Sequence, residues 1–290
     1  MAKNLAALME SSINESGLSE RRLPTQAVRI RHLCKIYAGH DGPVAALQNF
    51  SCDIAGGEFA VILGPSGCGK STVVRIIAGL DQQSSGTVLV QGAPVSEPGK
   101  ACGMVFQSYT SFPWLTVLEN IQFGLRYTFG GTSQERRERA KEFARMVGLE
   151  EFENAYMKQL SGGMRQRVAI ASALATDPEI LLMDEPFGAL DSQTRMAMQE
   201  QLAGITERTG KTVVFVTHDI EEAILLGDRI YVCTARPATI LAELDVPFAH
   251  PRTSAIRTQK KFVDMKYEIF HLLRDHTYAQ MAEAASERRW

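Results

Sequence analysis

Glu58-Phe-Ala-Val-Ile-Leu63 runs directly into Gly64-Pro65-Ser66-Gly67-Cys68-Gly69-Lys70-Ser71-Thr72, and the chain then reads as helix through Ser71–Ala78 to Gly79. The short apolar run has the character of a buried strand, and Gly64–Ser71 satisfies G-x-x-x-x-G-K-[ST] between that strand and a helix, the context the motif requires. Each residue type has a reason. The glycines let the backbone curl so that successive N–H groups converge on phosphate oxygens, at a helix N-terminus whose partial positive charge favours anions. Lys70 can reach β- and γ-phosphates, and the Ser71 hydroxyl can ligate Mg²⁺. The stretch therefore reads as a nucleoside triphosphate site in an α/β domain. Cys68 has two readings, a thiol whose pKa is lowered at a helix start or a small residue that fits the loop. Kinases, GTPases and motor ATPases all use this loop, so it leaves the function open.

The composition around this site excludes several classes. With 290 residues the chain suits one large domain, or one domain with attachments, and is long enough to bury a core. Apolar residues make up 45% and charged residues 22%, the balance of a globular protein rather than of a disordered or coiled-coil chain. Lys and Arg number 31 against 33 Asp and Glu, a net charge of −2, so no basic surplus exists to capture nucleic acid backbones. Five cysteines, at 34, 52, 68, 102 and 233, form no C-x-x-C pair, which speaks against a disulfide framework and for a reducing cytosol. Residues 1–27 are polar and read as a flexible arm without the pattern of a secretory leader. No apolar run approaches the roughly 18 residues of a membrane-spanning helix, so a membrane role has to come through a partner.

Along the chain, Val28–Ile36 and Thr87–Gln91 read as further strands. Residues from about 108 to 160 read as mainly helical, and Glu135 and Arg139 there are spaced to pair on a solvated helix face. Acids alternate with bases in that stretch, which favours a solvated face over a nucleic-acid patch. A helix opens near Ser161, and the apolar runs Ile180–Met183 and Val213–Val216 follow it. Strands alternating with helices imply a parallel-sheet core. Beyond Arg236-Pro237 the pattern weakens, until Phe262, Met265, Ile269, Leu272 and Leu273 mark one face of an amphipathic helix over the tail, 251–290. Packing on the main domain is the favoured use of that stripe; a partner helix is the other.

Two further segments decide the class. Ile180-Leu-Leu-Met-Asp184-Glu185-Pro186 is an apolar strand ending in two carboxylates: Asp184 can hold Mg²⁺ directly or through water, and Glu185 can polarise an attacking water. Alone, such a pair reads equally well as the start of a loop. Leu160-Ser161-Gly162-Gly163-Met-Arg-Gln-Arg167 opens a helix with Ser161 as N-cap and leaves backbone N–H groups bare, a second anion-binding start. Together with the phosphate loop, the set resembles the signature of the ATP-binding-cassette (ABC) ATPases, in which the signature of one protomer closes over ATP held by the other.

The resemblance runs from about Val28 to Ile240 and carries further roles with it. It implies that Gln107 is the glutamine that contacts Mg²⁺ and water and senses the permease. Ala189-Leu190-Asp191 matches the loop that crosses the dimer interface, and His218 the histidine that touches the γ-phosphate. Tyr37 takes the place of the aromatic residue that stacks on adenine. The fold implied is a RecA-like core with an antiparallel β subdomain and an α-helical subdomain, about 108–160, within an ATPase domain over 28–250. Phe112-Pro-Trp-Leu-Thr-Val117, Thr217-His-Asp-Ile-Glu-Glu222 and Thr234-Ala-Arg-Pro237 are similar to the importer branch that handles nitrate, sulfonates, taurine and bicarbonate. Thr110-Ser111 and Ala238 depart from that branch, which weakens the solute assignment and leaves the ATPase intact. The implied partners are a second ATP-binding subunit, transmembrane permease subunits and, indirectly, an external solute-binding protein, with no nucleic acid. The implied place is the cytoplasmic face of the bacterial inner membrane. A non-transport ABC ATPase would usually carry paired cassettes or a long coiled-coil insertion, an exporter fused membrane helices, and a P-loop kinase no signature helix.

Overall fold

The computed structural model describes residues 26–40, 42–107, 111–188 and 190–287, with side chains described as far as residue 276. Most of the expected N-terminal arm, together with Ser108, Thr110 and Ala189, lies outside the described residues. The first strands, β1 (Val28–Gly39) and β2 (Gly42–Ile54), form an antiparallel pair. The chain then crosses to a second sheet as β3 (Phe59–Leu63), and returns with β4 (Ser85–Val90) and β5 (Ala93–Pro94) to complete a four-stranded antiparallel sheet ordered β2-β1-β4-β5. The second sheet gains β6 (Cys102–Val105), β7 (Ile180–Asp184), β8 (Thr212–Thr217), β9 (Arg229–Cys233) and β10 (Ile240–Asp245). Its order is β10-β9-β3-β8-β7-β6, parallel throughout except for the edge strand β10. The expected α/β core with an antiparallel partner sheet is present.

The central strands are buried on both faces, which is why they read as unbroken apolar runs rather than alternating ones. Ala60, Ile62, Leu182, Val214 and Val216 point into a cluster shared with the antiparallel sheet and with helix α1 (Lys70–Ile77). Val61, Leu63, Leu181, Met183, Val213 and Phe215 point the other way, into a cluster completed from the C-terminal half of the chain. Each such side chain removed from water contributes about 1.5–3 kcal/mol, so the sheet's register is strongly specified. That register has a consequence for chemistry. Leu63 lies opposite Thr217, Asp184 opposite Val216, and Met183 opposite Val105, so the residues following four parallel strands emerge side by side on one edge.

A third cluster gathers α2 (Val117–Thr128), α3 (Ser133–Met146) and α4 (Gly162–Ala175) around Ile121, Leu125, Ala140, Ala144, Val168 and Ala171. Capping boxes start two of these helices. Thr116 exchanges bonds with Glu119, and Thr132 with Glu135, whose carboxylate accepts from the Thr132 N–H at 2.6 Å. The expected solvated helix face is present, with Glu135 exposed and Arg139 half-buried. Glu135 is used by the cap, while Arg139 lies 5.4 Å from the centroids of both Phe129 and Phe143 and donates to the Ala175 carbonyl.

The remaining helices are α5 (Ser192–Thr209), α6 (Ile220–Leu226) and α7 (Lys260–Glu287). On α7, Phe262, Met265 and Ile269 are buried in the second cluster and Leu273 packs at its margin, so the expected apolar stripe docks on the main body. No helix among the described residues is long and apolar enough to cross a membrane.

Candidate functional site

The phosphate loop occupies the turn between β3 and α1. Gly69 precedes the helix at φ 124°, and a Cβ there would sit 2.5 Å from the Ala46 carbonyl oxygen, so only glycine fits. The helix starts without a side-chain cap. Lys70 is buried, its Nζ donating to the Gly64 and Pro65 carbonyls at 2.9 and 2.8 Å and lying 3.5 Å from Glu185 Oε1. The Ser71 hydroxyl donates to Asp184 Oδ1 at 2.8 Å. Burial pushes the Asp184 carboxyl upward, the Ser71 hydroxyl opposes this, and the neighbouring Glu185 charge adds to it.

Glu185 is the point of convergence. Its backbone is left-handed, φ 43°, anchored by the N–H bond to the Val216 carbonyl at 2.9 Å. Non-glycine residues are strained there, and such strain concentrates at functional sites. Its Oε2 lies 3.1 Å from His218 Nδ1 and accepts from Gln107 Nε2 at 3.3 Å. The structure thus brings together four elements, the loop after β3 and the ends of β6, β7 and β8, around one carboxylate oriented by an amide, an imidazole and an ammonium. That arrangement can hold an anion in the loop and polarise a water beside it.

Tyr37 lies on the rim, with its hydroxyl donating to Asp81 at 2.6 Å and Lys35 Nζ 4.7 Å from its ring centroid. One ring face is therefore covered by an ammonium that also pairs with Asp81 at 2.6 Å. Thr72 is buried below, 3.4 Å from the Tyr37 hydroxyl. Cys68 is buried, and burial pushes its thiol upward against the opposing Lys70 charge, which corrects the lowered-pKa reading. Cys68 fits as a small residue packed in the first cluster.

Ser161, Gly162 and Gly163 are placed elsewhere. Among the described residues no hydrogen bond or ion pair joins them to Gly64–Ser71. Ser161 caps α4 by accepting from the Met164 N–H, and a Cβ on Gly163 would meet Thr194 Cγ2 at 2.4 Å. Asp191 caps α5, where the Thr194 and Gln193 N–H groups hold its carboxyl below the ordinary value. The signature start and the Asp191 turn therefore adjoin, with Ser161 and Asp191 exposed, Gly162 half-buried and Gly163 buried against Thr194. Two residues near the site escaped sequence reasoning as participants. Arg236 donates to the Gly67 carbonyl at 3.1 Å, and Glu222 accepts from Thr217 at 2.6 Å. Both lie in quoted motifs, but only the tertiary fold gives them partners.

The model of the ABC transporter family matches residues 47–188. The nitrate import ATP-binding protein of Synechocystis sp. is 44% identical over 265 residues, 89% of this chain and 99% of that one. The chain belongs to the ABC transporter ATPase family. A taurine import ATP-binding protein of Rhizobium johnstonii shares 43% identity with this ABC cassette over 264 residues, 89% of this chain and 100% of the relative. Among solved structures, the cassette MJ0796, a dimer in a post-hydrolysis state with ADP and phosphate, superposes with TM-score 0.69 at 38% identity. That likeness covers 77% of this chain and all of the other.

Proposed function

We propose that this ABC cassette is the ATP-hydrolysing subunit of a bacterial importer for a small anion such as nitrate, a sulfonate, taurine or bicarbonate. The observation that carries the hydrolytic part is the convergence of Lys70, Gln107 and His218 on Glu185 beside the phosphate loop. Backbone N–H groups of the loop over Gly64–Thr72, Pro65 excepted, cradle the phosphates, and Lys70 leaves its two loop carbonyls to meet the β- and γ-phosphates. Glu185 then orients and polarises the attacking water, with its carboxylate held by Gln107, and His218 contacts the γ-phosphate. Tyr37 offers adenine the ring face that Lys35 does not cover. Mg²⁺ fits the donor set: the Ser71 hydroxyl and Asp184 carboxylate are hard oxygen groups 2.8 Å apart, and Gln107 adds an amide oxygen. Bound with the nucleotide, the ion would neutralise phosphate charge.

Ser161, Gly162, Gly163 and Asp191 act in trans, closing over the nucleotide of a second cassette. Their separation from the phosphate loop within one chain supports this, as does the dimeric form of MJ0796. The permease is met at the aromatic cluster after Gln107. Phe112 packs on Phe123 with ring centroids 4.4 Å apart and on Trp114 at 5.6 Å, and Trp114 is 69% exposed. An exposed tryptophan on an aromatic base has the character of an interface anchor. The chain therefore works on the cytoplasmic face of the inner membrane, and an external solute-binding protein acts on it only through the permease. ATP turnover of the complex reconstituted with its permease, measured against a panel of anions and neutral solutes, tests the assignment. Stimulation by one of the named solutes supports it, and stimulation only by a solute carrying no anionic group overturns the reading.

A further inference from the structure

Behind His218 lies a buried polar relay that the chemistry above does not use. Glu222, on α6, is 5% exposed. Its Oε2 accepts from the Thr217 hydroxyl at 2.6 Å and its Oε1 from Gln199 Nε2 at 3.0 Å. The Thr217 oxygen in turn accepts from the Asp219 N–H at 3.0 Å, so the residues on both sides of His218 are tied to one carboxylate. Gln199, on α5 and 1% exposed, accepts at its Oε1 from Arg257 of the tail at 2.9 Å. Arg257 and Lys266 also hold Glu221 at 3.6 and 2.5 Å.

We propose that Glu222 is a positioning residue for His218, and that Gln199 and Arg257 make the tail part of the frame that aims this histidine. Burying an acid is costly, and a well-packed apolar residue would fix α6 to α5 as well or better. What an apolar residue cannot do is orient the Thr217 hydroxyl. That hydroxyl has one proton, donated to Glu222, and lone pairs left to receive the Asp219 N–H. Burial pushes the Glu222 carboxyl upward while the Thr217 and Gln199 donors oppose it. Arg195, 3.9 Å from both Glu222 and Asp219, adds positive charge from α5, the helix that Asp191 caps. The relay therefore joins the start of α5, the His218 turn and the tail into one unit.

This inference rests on the reading that His218 acts at the γ-phosphate, and the test separates the two. Thr217→Val removes the hydroxyl at nearly constant volume, Thr217→Ser restores it, and Glu222→Leu fills the same buried space without the carboxylate. In the full-length subunit we expect the Thr217→Val and Glu222→Leu variants to stay folded, to lose on the order of tenfold or more in kcat, and to keep KM for ATP within about twofold. The Thr217→Ser chain should recover to within about threefold of the parent, and Arg257→Ala should lose on the order of threefold. The ring nitrogen resonances of His218 should shift in Thr217→Val and return in Thr217→Ser before any nucleotide is added. Folded Thr217→Val and Glu222→Leu variants with parental kcat, beside an inactive His218→Ala control, would overturn the relay alone. Parental turnover in His218→Ala would instead remove the underlying reading, and the relay with it.

Discussion

Glu185→Gln is the most informative single change, because the amide keeps the shape of the carboxylate while removing its charge and one of its two acceptor oxygens. In the parent, Glu185 Oε2 is shared by His218 Nδ1 at 3.1 Å and Gln107 Nε2 at 3.3 Å, while Oε1 faces Lys70 at 3.5 Å. The glutamine oxygen can still take the contacts of one carboxylate oxygen, while its amide nitrogen replaces the other acceptor. Lys70 also keeps the Gly64 and Pro65 carbonyls, which do not depend on Glu185. On the proposed mechanism, what disappears is the group that takes charge from the attacking water. A positioned base contributes roughly 10²–10⁴-fold, or about 3–5 kcal/mol of barrier. The expected outcome is therefore a loss of that size in phosphate release, with nucleotide affinity changed by less than about tenfold, since uniform binding is untouched. Phosphate release under saturating ATP, titration with a fluorescent nucleotide, and light scattering for an ATP-trapped dimer give the three readouts. Turnover within about tenfold of the parent would refute the role of Glu185.

Other substitutions probe the remaining surfaces. Ser161→Arg should cost about 1 kcal/mol of stability through the lost Met164 cap, leave ATP binding to the monomer intact and abolish dimer closure; lost monomer binding in equilibrium titration would show that the signature acts in cis. Phe112→Ala combined with Trp114→Ala should weaken capture of the permease in pull-down while nucleotide affinity stays at the parental level, and an unfolded double variant would mark the cluster as core instead. Glu58 is raised above 4.5, first by burial, with the Ala55 N–H and Arg229 opposing. A raised folded-state value makes its contribution most favourable below pH 4.5 and erodes it as pH climbs through that higher value. The melting temperature of Glu58→Gln relative to the parent should therefore move in the variant's favour from pH 4.5 toward neutrality, and a shift of opposite sign would contradict the burial effect.

The strand–loop–helix around Lys70, the acids at Asp184 and Glu185, and His218 were legible because each depends on a contiguous run whose residue types have local reasons. Other features were not. β6 is four residues long and contains Gly103, where a Cβ would meet Pro178 at 2.8 Å, so its place is set by packing rather than by strand propensity. β10 is an edge strand of intermediate and exposed residues, which blurs the apolar signal. Cys68 was ambiguous because a helix start favours the thiolate while burial opposes it, and which prevails depends on the loop's depth. Glu135 had two partners in reach by spacing, and the backbone N–H at the helix start won over the arginine one turn on. The Glu222 relay joins α5, α6 and the tail, and no local pattern relates Gln199 to Arg257.

The two-faced burial of β3, β7 and β8 has a practical corollary. Successive side chains on these strands feed two different clusters, so a slip of one residue would exchange the two sets. The same slip would pull Asp184, Thr217 and Gly64 out of line, because their alignment is the strand register itself. A molecule with a misthreaded core is thus necessarily a molecule with a scattered site. In a refolding experiment, the yield of native material and the number of competent nucleotide sites should rise together, mole for mole, with no population that is sound in one respect and defective in the other.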